Sequence, residues 1–180
     1  PAVIGELLDS TLSILDFRLR RTEVRIERHV THDEPVLCYP GLINQAFMNL
    51  ISNAIDACEG PDGLVEVHVD VSEGHLEIRV ADNGPGVPPE LVERIFAPFY
   101  TSKEPGKGTG LGLAISREVA DLHHGTIELN RARPVGAEFI IRIPMVAPGA
   151  HEAAAEEAGG LAEDSEPVGS ESVGSESVGS

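Results

Sequence analysis

The stretch VEVHVDVSEGHLEIRVAD (65–82) reads as two alternating segments around a short polar turn. Val65, Val67, Val69 and Val71 share one side of the first segment, and Leu76, Ile78 and Val80 share one side of the second. A period of two, with Glu, His, Asp and Arg between the apolar positions, predicts strands with one buried and one wetted side. SEG (72–74) then predicts a hairpin turn. The rest of the fold follows from asking what covers the apolar side.

Helical segments supply the cover. In 3–20, Val3, Ile4, Leu7, Leu8, Leu12, Ile14, Leu15 and Leu19 recur at helical spacing, and helices are also predicted over 40–58 and from near Thr109 to just before Gly125. VRIERHV (24–30) and PVLCY (35–39) read as strands, and GTIELNRA (125–132) with AEFIIRIP (137–144) as a second hairpin pair. One apolar side per helix and one on the sheet give an α+β fold. It is a two-layer α/β sandwich, with about three helices on one face of a mostly antiparallel mixed sheet. A ligand would sit between the layers or at helix ends.

The net charge of −17 is placed unevenly. Residues 147–180 hold acids but no Lys or Arg and end in the repeat EPVGS ESVGS ESVGS, so this tail has too little apolar surface to order itself and is expected to be disordered. The domain is therefore expected to occupy 1–146. That part is acidic too, which argues against a nucleic-acid surface. No apolar run is long enough for a membrane span, so no membrane contact is expected and the chain reads as a soluble, cytoplasmic fragment of something longer, since it opens on Pro1. Cys38 and Cys58 lack the spacing of a zinc site or a disulfide framework and read as small core residues.

On a helical wheel, GLINQAFMNLISNAIDAC (41–58) puts Ile43, Phe47, Leu50, Ile51, Ala54, Ile55 and Cys58 on one broad side. Gln45, Asn49, Ser52, Asn53 and Asp56 fall on the other. That polar side is either a solvated face or a site. Asparagine is a poorer helix former than Glu, Lys or Arg, and an amide oxygen is a suitable ligand for Mg²⁺ that takes its other ligands from phosphates and water. In ADNGPGVPPE (81–90), Asp82 closes a strand where it can accept a hydrogen bond from a base amine. Gly84 and Gly86 allow close backbone approach, although the same residues also suit a plain turn. GKGTGLGLAIS (106–116) fails both common phosphate templates. Gly108 follows Lys107 where a P-loop needs Ser or Thr, and Leu111 and Leu113 fill third-glycine positions of a dinucleotide fingerprint. A flexible loop leading into a helix remains open as its reading.

NLISNAIDA (49–57), DNGPGVP (82–88), FAPFYTSK (96–103) and GKGTGLGL (106–113) occur in this order. They resemble the N, G1, F and G2 boxes of the catalytic and ATP-binding domain of two-component sensor histidine kinases, and Asp56–Ala57 with the short PFYTSK lid most resemble the nitrogen-regulator-like branch. That domain has the Bergerat fold shared with gyrase, the heat-shock chaperone and mismatch-repair ATPases. The resemblance implies ATP and Mg²⁺ as cofactors, with Asn53 as the metal ligand and Asp82 on the adenine amine. It implies Gly84 and Gly86 in the base pocket and Phe96 and Phe99 at the base of a mobile lid. Gly106, Gly108, Thr109, Gly110, Leu111 and Gly112 would form the lid-to-helix turn at the phosphates. Asp56 joins the same nucleotide set. Lys103 and Lys107 are either phosphate contacts or solvated lid charges.

Asn49 occupies the position where hydrolytic members of that superfamily carry a glutamate base, and an amide cannot accept the proton from water. The implied chemistry is therefore transfer of the γ-phosphoryl to a histidine, with Asn49 and Asn53 as the catalytic pair. The acceptor would lie on an adjoining dimerisation domain outside this sequence, and a response-regulator receiver domain would be the next partner. Full-length kinases of this kind are often membrane-anchored. His123 and His124, at a helix end before Gly125, read as structural. Ala137 stands where the family often has a threonine near the adenine. A serine kinase of the anti-sigma type and a non-catalytic nucleotide-gated module remain alternatives on the same fold.

Overall fold

The 65–82 stretch folds as the expected hairpin in the computed structural model, which describes residues 1–101, 109–131 and 133–145. Strands β2 (Leu64–Ser72) and β3 (His75–Asp82) pair antiparallel from Val65 opposite Asp82 to Ser72 opposite His75. Glu73 and Gly74, with φ of 51° and 76°, make the two-residue turn, a combination whose twist suits a tight hairpin. Val65, Val67, Val69, Leu76, Ile78 and Val80 are all buried, as the alternation requires.

The remaining strands are β1 (Arg25–Val30), β4 (Thr126–Leu129) and β5 (Glu138–Pro144), and the sheet order is β1-β2-β3-β5-β4. β1 runs parallel to β2, and the other pairings are antiparallel. Because β5 lies between β3 and β4, the start of β5 comes beside the end of β3, with Ala81 opposite Glu138. That pairing brings 136–139 to Asp82.

Helices α1 (Ile4–Thr22), α2 (Pro40–Ala57) and α3 (Gly112–Leu122) form the second layer. α2 has Pro40 in its first turn, where the missing N–H costs nothing, and it buries Ile43, Phe47, Leu50, Ile51, Ala54 and Ile55 as its wheel requires. Burying such side chains is worth about 1.5–3 kcal/mol each, which makes α2 the central support of the site it carries.

Four boundaries differ from the sequence expectation. PVLCY (35–39) is not a strand: only Val36 bridges, to Ala2, because Pro35 lacks an N–H and the chain enters α2 at Pro40. β4 is shorter than 125–132, ending at Leu129. α3 begins at Gly112 rather than near Thr109, because Gly110 has φ 66° and cannot be helical. On α1, Ile14 is 68% exposed and does not join the core side formed by Ile4, Leu8 and Leu15. Cys58 is buried as expected, while Cys38 is only half-buried. Lys103, Gly106, Lys107, Gly108 and the 147–180 tail lie outside the described residues. Among the described residues no helix is long and apolar enough to cross a membrane.

Candidate functional site

A cavity of about 440 Å³ opens between α2, the end of β3, the start of β5 and the N-terminus of α3. Its first fixed point is Asp82, the last residue of β3 and only 3% exposed. The Asp82 Oδ1 accepts hydrogen bonds from the N–H groups of Gly84 at 2.9 Å and Ala137 at 3.3 Å. In the other direction, the Asp82 N–H donates to the Ala137 carbonyl at 2.9 Å. Burial raises the carboxyl's pKa, and those two amides together with the Arg133 charge act against the rise. Gly136 makes the clamp possible: its φ is 74°, and a Cβ there would come within 1.7 Å of the Asp82 carbonyl oxygen. Ala137, at the position where a threonine was noted as usual, lines the cavity and gives Asp82 its backbone.

The second fixed point is the meeting of α2 with α3. Asn49 and Asn53, one turn apart on α2, both line the cavity. A Cβ built on Gly112 would lie 3.5 Å from Asn53 Nδ2 and 3.7 Å from Asn49 Cβ, so the first residue of α3 stands directly over the two amides. Gly112 and Leu113 face the cavity. Among the described residues no side chain caps this helix start, so its first N–H groups and the positive end of the helix dipole are presented there. Asn49 Nδ2 is buried and has no hydrogen-bond partner, a state that costs about 1–3 kcal/mol unless a ligand completes it. Among the described residues no group of three or more His, Cys, Asp or Glu could hold a metal. The donor set here is amides, which suits a cation that keeps its waters and takes phosphate oxygens.

The expected site residues largely converge. Asn49, Asn53, Asp56, Asp82, Gly86, Thr109, Gly110 and Gly112 line one cavity. Gly84 lies just behind it and serves through its N–H on Asp82. Leu111 is the N-cap of α3 and is not in the lining. Gly110 turns the chain against Phe99, and a Cβ on it would strike the Phe99 carbonyl carbon at 2.5 Å.

Phe96 and Phe99, both expected at the base of a lid and in the nucleotide set, differ in burial, and neither lines the cavity. Phe96 is buried, edge-on to Phe139 at 6.1 Å, with the Arg117 guanidinium 5.2 Å from its ring centre. Phe99 has φ 64° and a 77% exposed residue surface, so it shapes the turn through its backbone. Within FAPFYTSK the aromatic ring that lines the cavity is Tyr100, with Arg94 packed over it at 5.0 Å. Sequence reasoning did not single out Tyr100, although it sits within the FAPFYTSK segment, nor Ser52's place in the lining, nor Ile95 and Phe139 at the apolar wall. His123 is structural as expected: its Nε2 accepts from the Tyr39 N–H at 3.0 Å and its Nδ1 lies 2.7 Å from the Val119 carbonyl.

Residues 39–147 match the family model of the histidine kinase-, DNA gyrase B-, and HSP90-like ATPases. The chain belongs to that family. Its relatives include the two-component sensor PprA of Pseudomonas aeruginosa, 40% identical over 59% of this chain and 12% of the relative. Another is the nitrogen regulation protein NtrY of Azorhizobium caulinodans, 35% identical over 81% of this chain and 19% of the relative. The chain thus spans less than a fifth of the length of either. The solved catalytic domain of histidine kinase ThkA superposes with a TM-score of 0.72 at 30% identity, covering 81% of this chain and 97% of that one. Full-length ShkA in complex with AMPPNP gives a TM-score of 0.72 at 29% identity, covering 83% of this chain and 32% of that one. ThkA in complex with the response regulator protein TrrA gives 0.68 at 27% identity, covering 79% and 40%. The two-layer sandwich is accordingly that of histidine kinase catalytic domains.

Proposed function

We propose that residues 1–146 form the catalytic domain of a sensor histidine kinase that works in the cytoplasm. It binds Mg·ATP in the cavity and transfers the γ-phosphoryl to a histidine of an adjoining dimerisation domain. A response-regulator aspartate then takes the phosphoryl, a reading supported by the relatives' names and by the titles of the ShkA and ThkA complexes. The observation that carries it is the polarity of the cavity. A carboxylate with one oxygen already fixed stands at one end, and uncapped helix N–H groups over two amides stand at the other.

In this reading Asp82 accepts from the adenine amine, with Gly84 and Gly86 beside the ring. Its Oδ1 is occupied by two backbone N–H groups, so Oδ2 is the oxygen offered to the base. Ile95 and Phe139, with Phe96 behind Phe139, give the ring an apolar wall. Thr109, Gly110, Leu111 and Gly112 bring the start of α3 to the phosphates. Asn53 holds Mg²⁺, which when bound neutralises charge on the phosphate oxygens. Lys103, Lys107 and Gly108, outside the described residues, join the nucleotide set on the sequence resemblance alone.

Asn49 orients without taking a proton, and its unpaired Nδ2 donates to a phosphate oxygen or an ordered water. In the transfer, the bond between the γ-phosphorus and the β,γ-bridging oxygen breaks as the acceptor imidazole nitrogen bonds to phosphorus. ADP leaves with the electron pair. Positioning and charge neutralisation are the protein's contribution to such a step. Incubating the chain with Mg·ATP labelled at the γ-phosphate and with its dimerisation domain should yield a phosphoprotein labile to acid and stable to base. Acid-stable label would indicate a serine acceptor instead, and no label despite measured ATP binding would refute phosphotransfer.

A further inference from the structure

The described residues lining the cavity include two carboxylates, Asp56 and Asp82, and no lysine or arginine. That is an unfavourable lining for a polyanion unless something compensates it. α2 runs along the cavity. Its Ala57 carbonyl lies close behind Gly84 near Asp82, and its Asn49 and Asn53 stand under Gly112 at the other end. Asp56 lies between these points on the rim, with a side chain 31% exposed. In the Mg·ATP reading, a ligand reaching from Asp82 to the start of α3 passes Asp56.

Arg18 answers that carboxylate from another helix. Its guanidinium is ion-paired and hydrogen-bonded to Asp56 Oδ1, and its own side chain is 29% exposed. Seating α1 does not need this pair. Ile4, Leu8 and Leu15 are buried, Asp9 pairs with Arg28 of β1 at 2.7 Å, and Thr11 Oγ1 donates to Asn44 Oδ1 of α2 at 3.4 Å. Arg18 also lies before residues 39–147, the stretch that the family model matches.

We propose that Arg18 is a charge-compensating positioning residue of the nucleotide site: by neutralising Asp56 on the rim it allows a polyphosphate, as opposed to a bare nucleoside, to lie along α2. The proposal rests on the Mg·ATP reading and deepens it. Its consequence is selective, because a nucleoside without phosphates does not feel the Asp56 charge.

The test is calorimetric titration of adenosine, ADP and Mg·ATP into wild type, Arg18→Ala and Arg18→Lys. Failure of wild type to bind either adenosine or Mg·ATP would refute the underlying nucleotide reading, independently of Arg18. Given wild-type binding, Arg18→Ala should weaken Mg·ATP by about fivefold, the scale of a partly exposed charge interaction, and should leave adenosine unchanged. Arg18→Lys should restore most of the loss. High salt should narrow the gap between wild type and Arg18→Ala. Equal weakening of adenosine and Mg·ATP would make Arg18 a mere strut and overturn the proposal, as would unchanged Mg·ATP binding in Arg18→Ala.

Discussion

The two ends of the cavity are built on opposite principles. At Asp82 the protein has already paired the polar atoms: two N–H groups hold Oδ1, the backbone of Ala137 bonds in both directions, and Gly136 packs against the strand end. At the start of α3, among the described residues, the helix has no side-chain cap and Asn49 Nδ2 has no partner. The first end is rigid and reads shape, which suits a planar base. The second has hydrogen-bonding capacity to spend on phosphates and becomes complete only with ligand.

Five substitutions test that contrast and the packing around it, beginning at the Asp82 end. Gly136→Ala places a Cβ 1.7 Å from the Asp82 carbonyl oxygen at a φ of 74°, so it should destabilise the fold by about 3 kcal/mol or more in urea titrations and abolish adenosine binding. Retention of both would mean that the clamp is not rigid.

Asp82→Asn separates stability from recognition. It should weaken adenosine by roughly a hundredfold, because an amide presents a donor to the base amine. For the empty domain the sign is opposite. Burial raises the folded-state pKa above the ordinary value of 3.8, so the native state holds its proton more tightly than the unfolded chain. That contribution is fully present below the unfolded pKa and is lost as pH rises through the folded pKa. The variant should therefore gain stability relative to wild type above the ordinary carboxylate range and lose that advantage near and below it. Thermal melts from pH 4 to 7 would show the crossing, and a variant uniformly less stable would indicate that the ionised carboxylate is a net support.

Asn53→Ala acts at the other end. It should weaken Mg·ATP by roughly tenfold, in line with loss of a metal ligand partly replaced by water, while adenosine stays unchanged. A parallel loss for adenosine would erase the distinction between the ends. The smallest effect is expected for Phe99→Ser. The exposed ring contributes little, so stability should change by no more than about 0.5 kcal/mol, whereas Phe96→Ala should cost about 3–5 kcal/mol. Denaturation midpoints of the pair would show whether the two phenylalanines differ as their burial does.

Much of this was legible in the sequence, for reasons that can be named. The alternation of Val65–Val71 and Leu76–Val80 fixed which side of the hairpin is buried, and the wheel of 41–58 separated Leu50 and Ile55 from Asn49 and Asn53 correctly. What stayed hidden depends on contacts remote in the chain or on single backbone angles. Gly136 reaches Asp82 only through the β3–β5 pairing, Arg18 reaches Asp56 only through helix packing, and neither leaves a periodic trace. The start of α3 turned on the positive φ of Gly110, which a run of alternating glycines does not locate. Phe96 and Phe99 look equivalent in FAPFY, and only the turn between them sends one inward and the other to solvent. PVLCY carried strand-like composition with no neighbouring strand to pair with beyond the Val36 bridge.

The central claim is that adenine and phosphates are read at separate ends, the second completed by ligand. Amide hydrogen exchange followed with adenosine and then with Mg·ATP tests it most directly. Adenosine should slow exchange around 82–86 and 136–139 alone, and Mg·ATP should add protection at Gly112, Leu113 and Ala114. Mg·ATP that binds yet leaves those α3 amides exchanging at their unliganded rate would contradict the account.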